Sequence, residues 1–99
     1  MIDNAERITR MRAALQALHP GSLEVIDDSH RHVGHEGARD GRGHFSVDIV
    51  SEEFAGLAPL ARHRRVYAAL GEMMQTDIHA LQIRARTPAE ASSAGGAGA

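Results

Sequence analysis

Cysteine is absent from all 99 residues. That excludes a disulfide framework, a thiolate metal site and a cysteine nucleophile. Any transition metal must therefore be held by imidazole, by carboxylate or by ligands from a partner. Aromatic residues make up only 3% of the chain, too few for a platform on which nucleic-acid bases stack. The formal net charge is −2, which argues against a protein whose main task is neutralising phosphates. No apolar stretch approaches the length needed to span a bilayer, and no apolar segment follows Met1. The expectation is a soluble, cytoplasmic protein with no membrane partner. Its size allows one modest core and little room for a deep catalytic pocket.

What the sequence does have is histidine. Of the seven, His30, His32, His35 and His44 fall between positions 30 and 44. All eleven basic residues are arginine, with a tight group at Arg62, Arg64 and Arg65.

Residues 3–18 read as an amphipathic helix, with Ile8, Met11, Leu15 and Leu18 on one face and Asp3 or Asn4 as cap. His19, Pro20 and Gly21 stop it. Leu23 to Asp27 reads as a short strand, with Leu23, Val25 and Asp27 on one face and Glu24 and Ile26 on the other. Asp28 to Gly43 is rich in glycine, histidine and charge, and a loop of that length is usually functional or disordered. His44 to Val50 alternates, with Phe45, Val47 and Ile49 on one face, and should pair antiparallel with the first strand.

Ser51 is placed to cap a single turn through Phe54, which Gly56 ends. A second long helix is expected from about Pro59 to Met74, with Leu60, His63, Tyr67, Leu70 and Met74 in one stripe joined by Val66 and Met73. Asp77 to Arg86 reads as a third strand with His79, Leu81, Ile83 and Ala85 on one face. Thr87-Pro88-Ala89-Glu90 has the form of a capping box. The Ala, Ser and Gly that follow predict a disordered tail over 89–99, leaving residues 1–88 as the domain. The order of elements predicts an α+β protein, a three-stranded sheet with helices on one face, whose final helix is truncated.

The residues carry no nucleophile elbow, no Walker loop and no HExxH, so an enzyme is not expected. Asp27-Asp28 near His30 reads as a turn and capping feature. His44 reads as a strand-start residue that bonds within the sheet. For Arg62, His63, Arg64 and Arg65, the choice lies between a solvated helix face and contact with an anionic partner or nucleic acid.

In order and spacing, Glu24-Val25, Asp28-Ser29, His44-Phe45, Val50-Ser51, Phe54, Gly56, Arg62-His63-Arg64, His79-Ala80-Leu81 and Thr87-Pro88 resemble the signature of the BolA family, over roughly residues 5 to 90. The resemblance implies a class II KH-like fold, in the order α-β-β-α-α-β. It also implies a heterocomplex with a monothiol glutaredoxin, in which a [2Fe-2S] cluster is shared with the glutaredoxin and glutathione. The imidazole from the His-Ala-Leu element would be His79. A second family ligand position lies in the loop between the first two strands. It maps to His32, with His35 also in contention because this loop is longer than in many relatives. Arg62, His63 and Arg64 would then be partner or nucleic-acid contacts. On this reading the chain alone is a monomer or weak homodimer. A DNA-binding transcriptional regulator is the alternative, although the turn at Phe54-Ala55-Gly56-Leu57 lacks the Gly-x-x-Gly of a KH domain.

Overall fold

The computed structural model describes residues 3–29 and 43–98. Helix α1 spans Asn4–Leu15. It starts where the Asp3 carboxylate accepts a hydrogen bond from the Glu6 amide at 2.9 Å, satisfying a donor that the helix leaves without a partner. Met11 and Leu15 are buried, as is Leu18 on the 3-10 turn that follows. His19 then takes a left-handed conformation (φ 49°), which turns the chain towards the sheet.

Strand β1 (Ser22–Asp27) pairs antiparallel with β2 (Gly43–Val50), setting Leu23 against Ile49, Val25 against Val47 and Asp27 against Phe45. Strand β3 (Ile78–Arg86) pairs parallel with β2, so the sheet is mixed, in the order β1-β2-β3. A parallel return requires a crossover. Here it is made by α2 (Pro59–Leu70) and the single turn α3 (Met73–Thr76). Val25, Phe45, Val47, Ile49 and Ile78 meet Met11, Leu15, Leu18, Phe54, Val66 and Leu70 in one apolar core. Each large side chain so buried contributes about 1.5–3 kcal/mol. On the opposite face of the sheet, Glu24, Ile26, Gln82 and Arg84 are exposed, with Ser46 and Asp48 half-buried.

Three expectations change. The long helix breaks at Leu70 because Gly71 adopts a positive φ of 57°, so Met73 and Met74 belong to a separate turn. The buried line of α2 is also rotated: Val66 and Leu70 are buried, while Leu60 and Tyr67 are 62% and 40% exposed. Arg62, one turn before Val66, heads that line with its side chain only 13% exposed. Finally, the backbone over Pro88–Gly98 is helical (α4) where a disordered tail was expected. The capping box closes as its sequence announces. The Thr87 amide donates to Glu90 Oε1 at 2.9 Å, and the Glu90 amide to Thr87 Oγ1 at 3.1 Å.

Candidate metal centre

Strand β3 opens with an irregularity that decides where His79 points. Gly43 pairs with Ile78 and His44 pairs with Ala80, leaving His79 as an extra residue on β3. Such a bulge re-aims a side chain. Alternation slips by one: Ile78 is buried in the core, His79 and Ala80 are exposed, and Leu81 is again turned inward. The expectation that His79 shares a face with Leu81 and Ile83 is therefore corrected, and its side chain is exposed.

The same register brings a second histidine to it. The His44 and His79 ring centroids lie 5.0 Å apart with the planes tilted by 42°. His44 is only 7% exposed. Its backbone bonds as the sequence suggests, the amide donating to Ser29 Oγ at 2.9 Å and the carbonyl accepting from the Asp28 amide at 2.7 Å. Its ring beside His79 has no counterpart in the sequence reading. The pair depends on a parallel register, and the spacing of apolar residues does not encode registers between distant strands.

Asp28 and Ser29 at the end of β1 flank this pair, as does Gly43 at the start of β2. The segment between them carries His30, His32 and His35, all of which lie outside the described residues. Among the described residues no group of three or more His, Cys, Asp or Glu gathers as a metal site. What the described residues bring together here is two imidazoles from adjacent parallel strands.

Arg62, His63 and Arg64 lie elsewhere. Arg62 bonds the carbonyl of Ala85, six residues along β3 from His79, which is roughly 20 Å of strand. Its Nε donates to the Leu57 carbonyl at 2.8 Å and its Nη1 to the Ala85 carbonyl at 3.1 Å. Nη1 and Nη2 also grip the Glu90 carboxylate at 2.5 and 3.0 Å. This fork holds the Glu90 carboxyl down at about 2, chiefly through the hydrogen bonds from Arg62, with a further one from the Thr87 backbone. The same bonds raise the Arg62 guanidinium above its ordinary value. The Arg62 side chain is only 13% exposed, and these bonds make it an internal staple. His63 is half-buried and Arg64 exposed. Arg65 pairs with Glu53 at 3.6 Å.

A mixed three-stranded sheet with helices packed on one face, and a histidine pair at the head of its two parallel strands, defines the class of protein. A family model described as BolA-like protein matches residues 15–90. The chain is 44% identical over 91 residues to the chloroplastic protein BOLA1 of Arabidopsis thaliana, covering 88% of this chain and 57% of that protein. It is 42% identical over 83 residues to the DNA-binding transcriptional regulator BolA of Escherichia coli, covering 83% of this chain and 73% of that one. The solved structure of BolA1 from Arabidopsis thaliana superposes with a TM-score of 0.72 at 42% identity, covering 90% of this chain and 98% of that one. This chain belongs to the BolA-like family. It spans little more than half the length of the plant BOLA1 protein it matches.

Among the described residues no helix is long and apolar enough to cross a membrane.

Proposed function

We propose that this protein supplies the imidazole half of a [2Fe-2S] cluster shared with a monothiol glutaredoxin, whose thiol and bound glutathione supply the other half. The observation that carries this reading is the exposure of His79 on a bulge beside His44. A residue lifted out of the alternation presents a donor without disturbing the core beneath it. The donor chemistry fits: imidazole suits iron, and replacing thiolates by histidines on one iron gives a cluster of raised potential. With no cysteine in the chain, two imidazoles make an incomplete site, so the cluster requires a thiol-bearing partner. His79 is assigned as one ligand. His32, with His35 as its rival, is assigned the other by resemblance. Such a cluster supplies one-electron or cluster-transfer chemistry. The chain's own contribution is to present and orient the imidazoles.

The test mixes the protein with a monothiol glutaredoxin, glutathione, iron and sulfide, and records visible circular dichroism of the purified complex. The reading expects a spectrum distinct from glutaredoxin alone, lost in His79→Ala and altered in His32→Ala or His35→Ala. A spectrum equal to that of glutaredoxin alone in every sample removes it.

The second reading is a DNA-binding regulator, favoured by the exposed Arg64 on α2 and by what the bacterial relative is called. It expects binding to duplex DNA that weakens steeply with salt and weakens further in Arg64→Ala. The net charge of −2 is the observation against it.

A further inference from the structure

We infer that the first turn of α1 is a positioning element for the His44–His79 pair, acting through a relay of Asn4, Arg7 and Asp77; the inference rests on the cluster reading for its purpose. The relay joins three separate segments. At the end of β1, Asn4 Nδ2 donates to Asp27 Oδ2 and to Ser29 Oγ, both at 3.1 Å. That same Ser29 Oγ accepts from the His44 amide at 2.9 Å. Asn4 Oδ1 accepts from Arg7 Nη1 at 2.9 Å, and Arg7 Nε reaches Asp77 Oδ2 at 3.4 Å. Asp77 lies two residues before His79, and its carbonyl accepts from the Gly43 amide at 3.0 Å. One line of bonds therefore runs from Ser29, through the helix, to the approaches of both histidines.

Packing alone does not call for this line. Met11, Leu15 and Leu18 already seat α1 on the sheet by burial. Asp77 is 4% exposed, and a carboxylate so buried is costly unless several donors meet it. It receives Arg7, Arg10 at 3.4 Å and the Thr76 hydroxyl at 2.6 Å. A well-packed apolar group would serve the core as well or better. What the polar network adds is direction: a ligand imidazole such as His79, and the His44 ring packed beside it, must be held within about 0.5 Å. The register shift at His79 places this demand where β3 departs from regular pairing with β2.

The test uses the full chain, first alone. Ring nitrogen and proton signals of His44 and His79 are recorded by NMR, at a pH where the imidazoles are neutral, for wild type, Asn4→Ala, Asn4→Asp and Ile8→Ala. Asn4→Asp keeps the shape and favours the helix N-terminus, but loses the donor to Asp27 and Ser29. Ile8→Ala trims the core edge of the same helix and leaves the relay intact. The expected result is displaced signals of both rings in the two Asn4 variants and unchanged signals in Ile8→Ala. Ring signals equal to wild type in Asn4→Asp, or moved as far by Ile8→Ala, overturn the relay. The same proteins are then assembled with glutaredoxin. The relay expects the visible dichroism bands to be shifted in both Asn4 variants and wild-type-like in Ile8→Ala, whatever the melting temperatures. If wild type assembles no cluster, the cluster reading fails by itself, and the ring signals of the isolated chain still decide the relay.

Discussion

His44 and His79 face each other at 5.0 Å from adjacent parallel strands, one buried and one exposed. Their different burial separates their roles under mutation. His79→Ala removes an exposed imidazole, so stability should change by no more than about 0.5 kcal/mol. The spectrum of the glutaredoxin complex should nevertheless be lost. His44→Ala leaves buried space and should cost about 1–3 kcal/mol. Urea denaturation of both variants, beside the spectra, distinguishes the two. A His79→Ala protein that melts early, or that keeps the spectrum, contradicts the assignment.

A thiolate in place of the exposed imidazole should change the redox balance. Imidazole is neutral and donates less charge than thiolate, so histidine ligation raises the potential of a 2Fe–2S centre by on the order of hundreds of mV. The complex of His79→Cys should therefore assemble, but with a lower reduction potential than wild type. Redox titration followed by absorbance reads the difference. An unchanged potential would mean that position 79 does not touch the iron.

The contrast between β1–β2 and β3 shows what a sequence can disclose. Val25, Val47 and Ile49 alternate with polar residues, and an antiparallel neighbour close in the chain follows from that pattern; the structure agrees. The bulge is different. The Ile78-His79-Ala80-Leu81 segment fits two alternating schemes, one with His79 inward and one with Ile78 inward, and only the pairing to Gly43 and His44 chooses between them. Periodicity also placed Leu60 in the core of α2, because it counts apolar residues and overlooks an arginine that three carbonyl or carboxylate groups draw inward. The capping box of Thr87 and Glu90 was legible as a motif, yet the small residues beyond it carry no amphipathic pattern to announce a helix. For the candidate site, His79 was assigned through resemblance, while nothing in the spacing placed the His44 ring beside it.

Gly43 is where the site and the core meet. A Cβ there would stand 2.5 Å from the Phe45 ring atoms Cε2 and Cζ and 3.0 Å from Asn4 Oδ1. The Phe45 ring is buried in the core and has little freedom to retreat. Gly43→Ala should therefore destabilise the fold by about 1–3 kcal/mol, the usual cost of overpacking. It should also displace the His44 and His79 ring signals. Chemical denaturation with NMR of the variant checks both. Wild-type stability would show that the backbone at Gly43 shifts freely.

Arg62 and Glu90 make α4 sensitive to acid in a predictable direction. The folded protein holds the Glu90 carboxyl at about 2 against an ordinary value of 4.5. A depressed carboxylate stabilises the fold fully above the unfolded value, and that contribution fades as pH falls from 4.5 towards 2. The attachment of α4 to Arg62 should consequently survive mild acid and loosen only in the strongly acidic range. Carbon NMR of the Glu90 carboxyl should show a midpoint far below the ordinary 4.5. The stability difference between wild type and Glu90→Gln should be level at neutral pH and shrink below 4.5. Because the Glu90 side chain is 47% exposed, 1 M salt, with a screening length of about 3 Å, should raise its midpoint. A midpoint close to 4.5 at low salt would show that the fork does not persist in solution. Arg62 would then be released as the partner contact that its place in the sequence suggests.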